Sequence, residues 1–521
     1  MTGTEKPELI FALAGPIGTD LHELAGKLEE NLTAYGYRSV QIRASKLIEV
    51  KCEEALYEKI NTAKQDERIK LLMAAGDHIR VKLGRGDGII PLVLAAIRAD
   101  RAERLGAEGA EGDVPCYNTC YIIDSLKHPE EVSLLRAVYG NNFVLISGFS
   151  SREERKARLA SQIAKSYLRT NDGEFAHQAK TLIDIDSKRD GNKLGQSLRE
   201  TFPLADLFIR VSGNFEVKLN RFLDLYFGSP YITPSRDEFY MYEAKAKSYR
   251  SADLSRQIGA VIVDENQHLV ASGCNEVPIA GGGCYWPDMD GALDNRDYKT
   301  GKDYNAVKKV EIIEELVKFL GDNGIVTFPE GKRSDTIVDD LIFGPHKSAF
   351  KELRASNLIE FGRVVHAEMN AITEAARRGI RIGGGQIFST TFPCHMCARH
   401  IIAAGIERVV YIEPYPKSMT EDLYGGMVSV DATPSSYDSG GSSRSVCNVV
   451  AFEPFEGVAP TFYRELFEAP NRKDPKGYTV AWSKAEAQPK IARGTSAHLV
   501  LERAYVKAVE ELEDVSLKDL E

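Results

Sequence analysis

Short apolar runs separated by amphipathic stretches leave the first half of this chain few ways to fold. Between residues 8 and about 225 the runs are LIFALA from Leu9, SVQI from Ser39, YIID from Tyr121, FVLIS from Phe143 and LFIRV from Leu207. The stretches between them carry apolar residues at helical spacing, as at Leu21, Leu24, Leu28 and Leu32. Strands alternating with helices assemble as βαβ units into a parallel sheet covered on both faces. A second unit is expected from about residue 234, with a helix over 237–249 and a pair of strands in IGAVIVDENQHLVASG. From His366 the order helix, strand QIFSTT, helix from Cys394 and strand RVVYIE completes it. Residues 280–360 interrupt that order, opening with Gly281-Gly282-Gly283 and holding a helical piece near Lys308 to Leu320, and read as an insertion or cap. The Ser/Gly-rich stretch Ser435–Ser445 reads as a flexible loop. A tail follows it, with a last helix near His498 to Leu512. At 521 residues the chain is too long for one core. The expected fold is therefore α/β in two units, 1–230 and 234–430, with a C-terminal extension over 431–521.

Composition narrows the function classes. No run of eighteen or more apolar residues occurs, so no membrane-spanning helix is expected. The start MTGTEKPELIFALAG lacks the basic segment, long apolar stretch and small-residue cleavage site of a secretory signal, so a cytoplasmic location is expected. Eight cysteines scattered over the chain do not make a disulfide framework; closely spaced ones point to metal or catalysis. A formal net charge of −10 suits a small substrate better than a nucleic-acid polymer, which leaves nucleic acid at most a regulator's role.

The chemistry concentrates in His366-Ala367-Glu368 and, twenty-five positions on, Pro393-Cys394-His395-Met396-Cys397. Two cysteines spaced by two residues at a helix start aim both sulfurs at one point, and the helix N-terminus favours their thiolates. With His366 they form a three-ligand set for Zn²⁺ that leaves the fourth tetrahedral position to water. Glu368, two residues beyond the imidazole, is placed to move that water's proton as base and then acid. His395 and His400 are competing ligands; His395 lies between the cysteines and is expected to point elsewhere. No second C-x-x-C completes a four-cysteine site: Cys116 and Cys120 are separated by three residues and lie in the other unit. The spacing of Cys284 and His346 gives no support to a second metal site.

H-x-E with P-C-x-x-C is the signature of zinc nucleobase deaminases. HAEMNAI at 366–372, FPCHMC at 392–397, IIAAGI at 401–406, RSADLSRQIGAVI at 250–262 and GCNEVP at 273–278 resemble the deoxycytidylate deaminase family. The resemblance implies a cytidine-deaminase-like α/β/α unit and places Asn275, with Ser255, Arg256 and Gln257, at the substrate; Asn275 beside Gly273 also reads as a turn residue. The whole chain resembles bacterial anti-phage dCTP deaminases, in which a P-loop kinase-like unit precedes the deaminase unit. GPIGTDL at 15–21, IIDSLKHPEE at 122–131, GGGCYW at 281–286 and FEPFEGVAP at 452–460 carry this likeness. It implies deamination of free dCTP and dCMP, depletion of the dCTP pool during infection, and a homo-oligomer.

Gly15, Gly18, Thr19 and Asp20 sit between a strand and a helix, where a phosphate-binding loop belongs. A full Walker A motif needs a Lys after its second Gly; here none follows, and Asp20 serves equally as a helix cap. Asp124 at a strand end reads as a Mg²⁺ carboxylate or a turn former, and Arg152, Arg155 and Arg158 as a lid over phosphates or a solvated face. Two alternatives compete with deamination of free nucleotides. One is a deaminase editing cytosine or adenine in tRNA or single-stranded DNA; the other is a kinase-like nucleotide sensor whose deaminase unit only binds.

Overall fold

A strand buried along its whole length needs partners on both edges and cover on both faces. Strand β1 (Leu9–Ala14) has all six residues buried. It pairs in parallel with β3 (Thr119–Leu126), Leu9 beside Cys120, and with β4 (Phe143–Phe149), Ile10 beside Phe143. Strand β2 (Arg38–Arg43) extends the sheet beyond β3, and β5 (Leu207–Arg210) beyond β4, both in parallel. Helix α1 (Leu21–Thr33) lays Leu21, Leu24, Leu28 and Leu32 into a core that includes Phe11, Leu13 and Ile122. The connection from β1 runs to β2 on one side, whereas that from β3 crosses to β4 on the other. The carboxyl ends of β1 and β3 therefore flank a switch point, the place where open α/β sheets take ligands.

The computed structural model describes residues 5–106, 112–188, 194–351, 353–414, 418–430, 449–494, 496–510 and 512–520. Two compact units emerge, Met1–Glu238 with Phe455–Glu521, and Phe239–Pro454. The parallel sheet expected of the first unit is present, and its last members come from the far end of the chain. Strand β12 (Gly457–Val458) pairs antiparallel with β5. The C-terminal helix Ala497–Glu510 belongs to the same unit. There Arg101, fully buried in the helix Ile90–Leu105, donates from Nε to Glu8 Oε2 at 3.0 Å and from Nη2 to Glu502 Oε1 at 2.8 Å. Tyr139 Oη donates to the same Glu502 oxygen at 2.7 Å. The segment 431–521, read as one extension, thus divides at 455: before it comes a strand of the second sheet, after it elements of the first. The Ser435–Ser445 stretch lies outside the described residues.

The second unit is a six-stranded sheet in the order β10 (Val428–Val430), β11 (Val450–Pro454), β9 (Arg408–Glu413), β8 (Gln386–Thr391), β6 (Gly259–Val263) and β7 (Leu269–Cys274). Strands β6 and β7 form the expected antiparallel pair; β8 to β11 run parallel in their pairings. Helices α2 (Ala367–Arg377) and α3 (His395–Ala403) share one core with this sheet, through Ala367, Ala371 and Ala375 on one and Ala398 and Ile401 on the other. Gly273 lets α2 approach this closely: a Cβ there would overlap Ala367 O and Ala371 N. Between β7 and α2 the insertion builds its own small core, where the helices Tyr304–Asp322 and Ser334–Ile342 share Ile313, Val317 and Val338. Among the described residues no helix is long and apolar enough to cross a membrane.

Two substitutions test this packing. Arg101→Met leaves two buried carboxylates without their cation and is expected to cost about 3–5 kcal/mol of unfolding free energy. Gly273→Ala forces β7 off α2, at about 1–3 kcal/mol. Urea denaturation followed by circular dichroism reads both, and an unshifted midpoint for either removes the role given to that residue.

Candidate metal centre and its carboxylate

Helix starts place the donors. His366 is the N-cap of α2, with φ −64° and ψ 155°, and Cys394 is the N-cap of α3, with Cys397 in its first turn. The two N-termini converge so that His366 Nδ1 lies 3.3 Å from Cys394 Sγ and 3.3 Å from Cys397 Sγ. One imidazole nitrogen and two thiolates around a tetrahedral zinc stand about 3.6 Å apart, so the trio has the size of a single-ion site. Both sulfurs face the same imidazole nitrogen. The nearby Cys397 thiol and the His366 imidazole draw the Cys394 thiol down to about 4, and Cys394 with burial pushes Cys397 up. Cys394 in turn raises His366 to about 9, against the effect of burial. Three crowded donors sharing protons fit a soft divalent cation that displaces those protons on binding. His366, Cys394 and Cys397 would hold it.

Glu368 sits in the first turn of α2, nearly inaccessible at 4% exposure. Burial raises its carboxyl above the usual range. Ser389 Oγ, fully buried on β8, donates to Glu368 Oε1 at 3.0 Å and fixes the carboxylate plane. The other oxygen, Oε2, lies 3.4 Å from Cys397 Sγ and so faces the donor cluster. Sequence reasoning missed Ser389. Nothing sets it apart from Thr390 and Thr391 in the QIFSTT run, and its partner is visible only once β8 and α2 share a core.

The structure brings Asn275 and residues 255–257 together. Asn275 is 5% exposed; its Oδ1 accepts from Ile258 N at 2.7 Å and its Nδ2 donates to Arg256 O at 2.7 Å. The amide thereby pins the segment that carries Ser255, Arg256 and Gln257. Gln257 Nε2 donates to Ser251 O at 2.8 Å, Arg256 lies exposed 3.3 Å from Glu413, and Ser255 N donates to Asp253 Oδ1. Next door, Glu276 pairs backbone to backbone with Val365, which holds this loop against the residue preceding His366. Among the described residues Cys284 and His346 do not gather with other metal-ligating groups.

In the first unit the loop Gly15–Asp20 follows β1, as expected. Gly18 has φ +88°, and a Cβ there would run into the backbone of Arg155. The anion-attracting groups of the loop meet the chain's own carboxylates. Ile17 N donates to Asp186 Oδ2 at 2.9 Å. Lys127 Nζ donates to Gly15 O at 2.8 Å and lies 3.9 Å from Asp186 Oδ1. Asp20 caps α1 through Glu23 N at 3.0 Å and pairs with Arg158. Arg152 pairs with Asp184 at 2.7 Å. Asp124 lies within β3, its carboxyl raised by burial and drawn back by Arg43 and Lys127.

Comparison with known proteins adds the following. The profile of the cytidine and deoxycytidylate deaminase zinc-binding region matches residues 234–413. The deoxycytidylate deaminase of Enterobacteria phage T2 is 31% identical over 176 residues, 33% of this chain and 76% of the relative. That of phage T4 is 31% identical over the same length, 74% of the relative. ComE operon protein 2 of Bacillus subtilis (strain 168) is 45% identical over 53 residues, 10% of this chain and 28% of the relative.

The metal reading predicts that the full chain purified in zinc carries one equivalent per protomer at this centre. Cys397→Ser or His366→Ala is expected to lower retained metal at least about tenfold, and Glu368→Gln to leave it unchanged. Elemental analysis of dialysed protein measures this, and full metal retention by both ligand variants contradicts the assignment.

Proposed function

This chain belongs to the cytidine and deoxycytidylate deaminase family, and from that premise we propose that it hydrolyses the 4-amino group of free deoxycytidine nucleotides, dCMP and dCTP. The observation that carries the reading is His366 Nδ1 standing 3.3 Å from two sulfurs, with Glu368 held beside Cys397. Water adds to C4 of the ring, the C4–N bond breaks, and ammonia leaves with the uracil form behind. Zinc, when bound, supplies the Lewis acidity that makes water a competent nucleophile near neutral pH. Glu368 moves the protons: its carboxylate takes one from the water and hands it to the ring nitrogen, then serves the departing amine. Ser389 keeps Oε1 engaged, so that Oε2 is the oxygen left to exchange protons. A carboxyl raised by burial takes up a proton more readily than a solvated one, which suits the step in which it accepts one from water.

The substrate class is supported by the phage T2 and T4 relatives, named as deoxycytidylate deaminases. Extension to dCTP, depletion of that pool against infecting phage, and homo-oligomer formation rest on the whole-chain resemblance. The net charge of −10 favours a free nucleotide over a strand. We read the first unit as regulatory or assembling; the Asp186 carboxylate on Ile17 N, and the missing P-loop Lys, speak against phosphoryl transfer there.

Incubating the zinc-loaded chain with dCMP, dCTP and a cytosine-containing oligonucleotide, with chromatography of the products, is expected to yield dUMP and dUTP; turnover of the oligonucleotide alone refutes the proposal. Glu368→Gln is expected to lower kcat about 10²–10⁴-fold with zinc retained. Ser389→Ala should lower kcat more than it raises KM, since the hydroxyl orients the proton carrier. Steady-state kinetics on both variants decides whether the carboxylate and its holder act as assigned.

A further inference from the structure

A second sulfur pair lies in the same unit, away from the metal donors. Cys274 ends β7 and is fully buried; Cys284 returns to it through Gly281, Gly282 and Gly283, whose φ values of 95°, 98° and 86° fold the loop back. Ile279 N donates to Gly283 O at 3.1 Å, Cys284 pairs antiparallel with Pro278, and the two thiols lie near enough for each to shift the other's proton affinity. Asn370 of α2 bridges the pair, its Nδ2 donating to Cys274 O at 2.8 Å and to Cys284 Sγ at 3.0 Å. Arg250 completes the setting. Its Nη1 lies 3.9 Å from Cys274 Sγ, its Nη2 donates to Cys284 O at 3.1 Å, and its guanidinium stacks 3.7 Å from the Trp286 ring centroid. Cys284 is half-buried and opens into a cleft of about 360 Å³ that Lys247, Arg377 and Arg378 also line.

We propose that Cys284 and Cys274 form a peroxide-sensitive dithiol, with Cys284 the attacking thiolate and Cys274 the resolving thiol. The sulfur of Cys284 attacks one oxygen of a hydroperoxide; the O–O bond breaks, and Cys284 becomes a sulfenic acid as water or an alcohol leaves. Cys274 then displaces the sulfenic hydroxyl, the S–S bond forms and a second water departs. Two thiols are oxidised by two electrons and one peroxide is reduced. Position favours this order, since Cys284 meets solvent and Cys274 does not. Charge favours it as well. The neighbouring Cys274 thiol, the Asn370 amide and the Arg250 guanidinium bring the Cys284 thiol down to about 5, while Cys284 and burial raise Cys274. Elsewhere burial pushes Cys52 up to about 11 and holds Cys120 well above the usual range, so neither competes. A metal does not explain the pair, because among the described residues no third donor gathers with it.

Both cysteines lie in one tryptic peptide, residues 257–296, which makes the bond directly readable. The zinc-loaded full chain is treated with stoichiometric hydrogen peroxide, quenched by alkylation, digested and weighed. We expect this peptide to appear unalkylated and lighter by two hydrogens, forming at least about tenfold faster than any change at Cys52. In Cys274→Ser, dimedone should trap a sulfenic acid on Cys284; in Cys284→Ser, Cys274 should stay reduced over the same interval. The proposal is overturned if the wild-type peptide remains doubly alkylated once Cys52 has reacted. It is overturned equally if Cys274 in Cys284→Ser oxidises at the wild-type rate.

Discussion

Two helix N-termini brought to one point are the constraint on which the second unit depends. Each end leaves backbone N–H groups without helical partners and carries a partial positive charge, so two of them facing each other repel unless something anionic lies between. Here the Cys394 sulfur, whose thiolate its neighbours favour, supplies negative charge from within the chain. The sheet and the small residues of α2 follow from the same requirement. Ala367, Ala371 and Ala375 present almost no side-chain bulk, and Gly273 none, which allows α2 to lie close enough for its first turn to meet the first turn of α3.

Most of this arrangement was legible in the sequence because it is local. H-x-E and P-C-x-x-C each fix their own geometry within one turn of a helix. Asn275 stood out through the family resemblance, which places it at the substrate, with a turn as its other reading. The structure shows that its amide holds the backbone at Arg256 and Ile258 and so shapes the segment around it. Ser389 was not legible, because its partner is twenty-one positions away and is chosen by the packing of β8 under α2. Asp186 was beyond reach for the same reason: no periodicity announces which carboxylate turns toward Ile17 N across 169 residues.

The loop after β1 shows how a motif and its surroundings can disagree. Its position, glycine conformation and following helix all suit an anion, yet a tethered carboxylate already accepts from its backbone. A lysine of the missing Walker kind would bring a cation into this space; Lys127 enters instead from just beyond β3, and binds the loop's own carbonyl. The sequence pattern sets a backbone shape, and the charges around it decide what that shape holds.

The path of the chain between Val450 and Val458 has a consequence for how the molecule is made. Strand β11 closes one sheet, and only two residues later β12 joins the other, so the second unit is an insertion within the first. A ribosome that has released residues 1–238 has not yet released what completes them. Arg101 and Glu8 must wait, one buried cation beside one carboxylate, until Glu502 emerges some four hundred residues after Arg101. Folding in the usual amino-to-carboxyl order is therefore closed to the first unit, and the inserted one is free to mature ahead of it. Cutting the chain between the units would sever the partners of a single core and leave residues 455–521 with nothing to pack on.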